Sequence, residues 1–325
     1  MKSRNSILKR LAVTVLASAA AVTALEIGFR SAVPANDVTP FRSSARPGLA
    51  VELRPSFETL YKGIDVRINS LGMRGPEVGL RDPGRLRVAL CGDSFTFGSC
   101  VEYESTLAMS LERALAERGA LAEVLNLGVP GYTAQEVATA AEDRIPGLAP
   151  DVLVYVFYAN DVEPPRQPLE IPPDTRIDPL SGFTLGSAFV EWIRIQVSRA
   201  FVRAGRRPHK RSPGHSRREY ENGGGARIRS ALRRMEALSA AQGARFIAVS
   251  FPHLTAPEVN PFRPIDELFH RDAAALGIEA YDLLEVFDVE SDLLDYWADT
   301  FDHHPNAECN ALVTGYLAEK LLGGR

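Results

Sequence analysis

Leu86-Arg-Val-Ala-Leu-Cys-Gly-Asp-Ser94-Phe-Thr-Phe-Gly98 runs from a short, mostly apolar segment into a glycine-flanked turn with a serine at its centre. Comparable apolar runs recur at 124–127, 152–157, 246–251 and 278–283. Helical spacing fills the intervals near 104–118, 133–144, 226–241 and 264–276, and again at 307–322. Strands that are apolar throughout, alternating with helices, predict a parallel sheet covered on both faces. In such sheets the loops at the carboxyl ends of the strands carry the chemistry.

Outward from this block, the flanks read differently. Lys2, Arg4, Lys9 and Arg10 precede an uncharged run from Leu11 to Leu25, followed by Glu26 and Arg30. Cations ahead of such a run predict an export signal or a membrane anchor over residues 1–35. The apolar stretch 11–29 would associate with the membrane, leaving the rest of the chain extracytoplasmic, in a bacterial periplasm or cell envelope. Pro40, Pro47 and Pro55 mark 36–60 as an extended linker, and alternation at Ile64, Val66 and Ile68 predicts a short strand or hairpin. The main domain then occupies 81–325, interrupted at 162–225 by a proline-rich stretch, a helix near 187–204 and a basic loop at 206–211. Because that insertion follows a strand end, it is expected to act as a lid, with the helix stripe Phe189, Ile193, Val197 and Phe201 as a packing face.

The composition of the 325 residues, 45% hydrophobic and 24% charged, supports a full core. A formal net charge of -4 offers a nucleic acid nothing to bind. Cys91, Cys100 and Cys309 are too few for a disulfide framework. A bridge between Cys100 and Cys309 would need an oxidising compartment and close Cα approach, so packed thiols are the simpler reading.

Four stretches past predicted strands carry candidate chemistry. Gly92-Asp-Ser94 exposes a hydroxyl beside backbone N–H groups, although a helix N-cap serine would look similar. Asn126-Leu-Gly128-Val-Pro-Gly131-Tyr-Thr133 lets backbone approach a ligand, or simply turns. Tyr158-Ala-Asn160-Asp161 offers a side-chain amide, or an ordinary Asx loop. Asp299-Thr-Phe-Asp302-His303-His304-Pro305-Asn306 supplies an imidazole fixed by the following proline, with an Asp two residues earlier to hold its tautomer. Adjacent histidines in one loop seldom aim at a single ion, so no metal and no cofactor are expected.

In order and content these four blocks resemble the SGNH or GDSL hydrolase superfamily. The lead-in Ile68-Asn-Ser-Leu-Gly-Met-Arg-Gly75 is similar to a bacterial exported branch of it. The resemblance implies a flavodoxin-like, three-layer α/β/α fold with about five parallel strands. It implies Ser94 as nucleophile and His304 as base, with Asp302 orienting the imidazole. The oxyanion donors would be the N–H of Ser94, the N–H of Gly131 and the Asn160 side chain. Family spacing puts the aspartate three residues before the histidine; position 301 is Phe, so Asp302 takes the role with Asp299 as alternative, as His303 is to His304. The implied partner is an ester-bearing small molecule, lipid or envelope glycan. An O-acyltransferase using the same serine, or an inactive tethered binding protein on the same fold, are the rival readings.

Overall fold

The computed structural model describes residues 2–33, 37–176, 178, 184–203, 217–254, 262–288, 292–299 and 302–323. The basic loop at 206–211 and the side chain of Phe201 lie outside them. Helix α1 spans Lys2–Ser31, and its segment Lys9–Ser31 is the one described helix long and apolar enough to cross a membrane. Four short strands follow: β1 (Phe41–Ser43), β2 (Val51–Leu53), β3 (Phe57–Tyr61) and β4 (Ile64–Ile68). The main sheet is built from β5 (Leu86–Gly92), β6 (Ala122–Asn126), β7 (Val152–Phe157), β8 (Arg245–Ser250) and β9 (Glu279–Asp282). Between and after these lie α2 (Ser94–Phe97), α3 (Leu107–Glu117), α4 (Ala134–Leu148), α5 (Ala188–Arg203), α6 (Gly225–Gln242), α7 (Arg263–Ala275) and α8 (Ala307–Gly323).

The five main strands are all parallel, in the order β6-β5-β7-β8-β9. Alternate residues of each central strand face opposite layers. On β7, Leu153, Tyr155 and Phe157 join the cluster beneath α4, α6 and α7, while Val152, Val154 and Val156 join the one beneath α3 and α8. The three-layer α/β/α architecture expected from the sequence is the one observed. Each fully buried side chain of this size contributes about 1.5–3 kcal/mol by leaving water, so both faces lock the strand edge that the loops extend from.

Local signals set the helix starts. Thr133 and Glu136 form a reciprocal capping box that opens α4. Thr106 caps α3 by accepting from the Met109 N–H. All three cysteines are free thiols.

Within 36–60, the stretch whose prolines read as a linker, β1 and β2 pair antiparallel and bury Leu49, Val51 and Leu53 in the core. Strands β3 and β4 form the hairpin anticipated from the alternation. In the 162–225 segment, α5 packs on the end of α1: Phe29 meets Trp192 at 4.9 Å and Phe189 at 5.5 Å. The Glu26 carboxylate accepts from the Ala188 and Phe189 N–H groups, capping the start of α5. The contacts described for α5 therefore tie it to α1.

Candidate active site

Strand β5 delivers Asp93 and Ser94 directly into α2. The Asp93 carboxylate accepts from the Phe95 N–H at 2.9 Å, which closes the turn. Gly92 is required at the bend: a Cβ there would come within 2.2 Å of Thr96 Oγ1 and 2.9 Å of the Val156 carbonyl. Ser94 is the first residue of α2, where its own backbone N–H has no intrahelical partner. At the other end of α2, the Arg74 guanidinium donates to the carbonyls of Phe97, Gly98 and Val101. Burial pulls the Arg74 pKa down to about 10, and its charge is spent on those three carbonyls.

The imidazole approaches from the other end of the chain. His304 Nε2 lies 2.8 Å from Ser94 Oγ. Its Nδ1 is hydrogen-bonded to Asp302 Oδ1, which also accepts the His304 backbone N–H at 3.0 Å. With Nδ1 protonated toward the carboxylate, the Nε2 lone pair faces the hydroxyl. Asp302 Oδ2 accepts from Lys62 Nζ at 2.6 Å. Burial alone would raise the Asp302 carboxyl, but the His304 imidazole and then the Lys62 ammonium outweigh it and hold that carboxyl far below the usual range. Asp299, the alternative partner, accepts the Asp302 backbone N–H at 3.0 Å and so holds the loop. His303 is exposed and stacks on His304 with ring centroids 5.6 Å apart. Phe95, stacked on Tyr158, supports the His304 ring from the core side at 5.0 Å.

The remaining candidates share this edge of the sheet. Asn160 donates from Nδ2 to Asp93 Oδ2 at 3.2 Å, so its amide is held beside the residue preceding Ser94. Gly131 is solvent-exposed at φ 78°, and a Cβ on it would sit 2.9 Å from the Arg166 guanidinium. Gly128 of the same block packs directly on α2, where a Cβ would fall 2.2 Å from the Phe97 nitrogen. Val129 reinforces the join by donating its N–H to the Gly92 carbonyl at 3.1 Å.

Donor atoms of Cys100, Asp302 and His304 lie within 4.8 Å of one another, a spacing that could hold a metal. The cation they already face is the Lys62 ammonium, 2.6 Å from Asp302 and 3.9 Å from the Cys100 sulfur. Burial, then the Asp302 charge, push the Cys100 thiol up, so it stands there as a neutral group. A second serine–histidine contact, Ser250 Oγ to His270 Nε2 at 2.7 Å, lies at the end of β8, but Ser250 is fully buried and no substrate can reach its hydroxyl.

A profile of the GDSL-like lipase/acylhydrolase family matches residues 90–312. The chain belongs to that family. As a GDSL-type acylhydrolase it is an ester-hydrolysing enzyme. Among solved structures it is similar to the lipase/acylhydrolase from Enterococcus faecalis, at 16% identity and TM-score 0.42, over 72% of this chain and 96% of that one. It is also similar to a family 3 carbohydrate esterase from Clostridium thermocellum, at 11% identity and TM-score 0.45, over 74% and 98%. A lipolytic G-D-S-L protein from Veillonella parvula matches at 14% identity and TM-score 0.40, over 74% and 98%. No curated protein matches the chain.

Two cations beside the GDSL site leave no local signal in the sequence. Arg74 lies within Ile68-Asn-Ser-Leu-Gly-Met-Arg-Gly75, where nothing local indicates that it reaches α2. Lys62 occupies the β3–β4 turn, where Tyr61-Lys62-Gly63-Ile64 reads as ordinary hairpin chemistry. Both precede the matched region 90–312.

Proposed function

We propose that this GDSL-family enzyme is a serine esterase that works through an acyl-enzyme on Ser94. His304 takes the Ser94 proton while Asp302 holds the imidazole and balances the charge it acquires. Ser94 Oγ attacks the ester carbonyl, and the tetrahedral oxyanion is received by the N–H of Ser94, the N–H of Gly131 and the Asn160 amide. His304 then protonates the departing alcohol, and a water activated by the same imidazole releases the acid. The observation that carries this reading is the chain of contacts from Asp302 through His304 to Ser94 Oγ at 2.8 Å, at the carboxyl edge of the sheet.

The substrate class that fits is an acyl or acetyl ester of a small molecule, a lipid or a cell-envelope glycan. Support for an envelope location comes from α1, whose apolar segment Lys9–Ser31 contributes no fully buried residue to the fold and carries cations at its start. On this reading α1 is an anchor or signal, and 81–325 is the catalytic domain carrying 162–225 as its insertion.

A panel of p-nitrophenyl esters of increasing acyl length tests the proposal, together with fluorophosphonate labelling. Wild-type protein should turn over the short esters and take the label at Ser94, and Ser94→Ala should do neither while melting normally. Turnover unaffected by Ser94→Ala would remove the serine from the reaction.

A further inference from the structure

We propose that Lys62 is a positioning residue of the reaction, clamping the outer oxygen of Asp302 so that the inner oxygen stays on His304 Nδ1. This rests on the esterase reading above and extends it to a segment outside the family-matched residues 90–312. Asp302 sits in an irregular loop, and both contacts from His304 fall on a single oxygen, Oδ1. A carboxylate held on one side can swing about its Cβ–Cγ bond, carrying the imidazole with it. The Lys62 ammonium, 2.6 Å from Oδ2, opposes that rotation from a point 240 residues away in the chain.

The hairpin is built to deliver it. Lys62 has φ 52° and Gly63 φ 76°, the paired positive values of a two-residue turn that matches strand twist. A lysine in that region is uncommon, since its Cβ crowds the backbone. Tyr61 fixes the turn by packing edge-on to Phe97 of α2 at 6.2 Å and to Phe41 at 5.9 Å. Both charges are partly withdrawn from water, with 31% of the Lys62 side chain and 18% of the Asp302 side chain exposed. Their attraction is therefore screened less than that of a surface pair.

A cation here has a second effect. The titratable and charged groups around the Asp302–His304 pair are Asp299 and His303 on the same loop, Asp93 and Ser94 at the head of α2, Lys62 and Tyr61 on the hairpin, and Cys100 beyond α2. Lys62 is the fixed positive charge in this set. It offsets part of the Asp302 charge felt by the imidazole, so removing it should raise the proton affinity of His304.

The test compares Lys62→Met, Lys62→Gln and Lys62→Arg. The two neutral variants should lose about 10- to 100-fold in kcat with KM nearly unchanged, the cost of a displaced base. The acid limb of their pH–rate profile should move up by about one unit, as expected on losing a nearby cation. Lys62→Arg should recover most of kcat and the wild-type limb. The same substitutions in a Ser94→Ala background, with the histidines 15N-labelled, give the His304 titration without any turnover. A midpoint raised in Lys62→Met supports the inference even if wild-type Ser94 fails to take the fluorophosphonate, an outcome that would sink the esterase assignment alone. Wild-type kcat and an unmoved titration in both neutral variants would overturn it.

Discussion

The turn that carries Ser94 and the loop that carries His304 face each other across 2.8 Å, yet they are held by opposite means. The serine turn is backbone architecture: it continues β5, is capped by Asp93, and leaves Phe95, Thr96 and Phe97 buried. Among its described residues, the histidine loop has no regular element of its own between Tyr296 and α8. It is tied by a Trp297–Pro305 bridge, by Asp299, and by Lys62 from the N-terminal hairpin. Their carboxyls diverge accordingly. Burial pushes Asp93 and Asp161 upward on the serine side, whereas His304 and Lys62 pull Asp302 down on the loop side. One half is made rigid by packing, the other by charge.

The comparison breaks most sharply at Asp302. Asp302→Asn keeps the shape of the side chain but can present its NH₂ to the imidazole, favouring the wrong tautomer. A loss of about 10³–10⁴ in kcat is expected, with the fold intact. Asp299→Asn, by contrast, keeps a side-chain oxygen able to accept the Asp302 backbone N–H and should cost no more than about 10-fold. Steady-state kinetics on one short ester decide between them. If Asp299→Asn proves the more damaging, the orienting carboxylate has been misassigned.

On the serine side, damage should come through backbone. Gly128→Ala sets a methyl within 2.8 Å of three backbone atoms of Thr96 and Phe97, none of which can rotate away. About 3 kcal/mol of destabilisation is expected, with activity falling because α2 must shift. Gly131→Ala meets the end of the long Arg166 side chain and the strain of φ 78°, worth about 1–2 kcal/mol. Urea unfolding of the two variants gives the ranking. Equal midpoints would mean that the Gly128 turn is not pressed against α2.

The same contrast explains what could be read in advance. The β5 turn was legible because its determinants are contiguous: a strand, a glycine, a capping aspartate, a serine. So was the parallel sheet, from its alternating apolar runs. The loop residues Asp302 and His304 could be nominated from their block, but a choice against Asp299 and His303 needs the coordinates that put His304 Nε2 on Ser94 Oγ and Asp299 on a backbone N–H. Lys62 and Arg74 were not legible, because an ion pair between residues 62 and 302 leaves no periodicity in either segment. Prolines in 36–60 suggested a linker, since proline reports backbone preference and is silent on whether Leu49, Val51 and Leu53 find a core to enter.

The finest test concerns Asp161, which is buried beneath the serine half. Tyr155 Oη donates to its Oδ2 at 2.5 Å, while Oδ1 is buried with no hydrogen-bond partner. Burial, reinforced by the nearby Asp93 charge, raises its pKa well above the ordinary aspartate value, so a proton on Oδ1 is the consistent state. An acid whose pKa is raised by folding stabilises fully below its unfolded pKa, near ~3.9, and that contribution is lost as pH rises toward the folded value. Wild-type stability should therefore carry a downward slope with pH that Asp161→Asn lacks, because an amide releases no proton. One proton held only in the folded state gives a slope of about 1.4 kcal/mol per pH unit, within reach of denaturation curves taken at intervals from pH 5 to 8. Parallel slopes for the two proteins would show that Asp161 is ionised in the fold, and the serine half would then share the electrostatic character of the histidine loop.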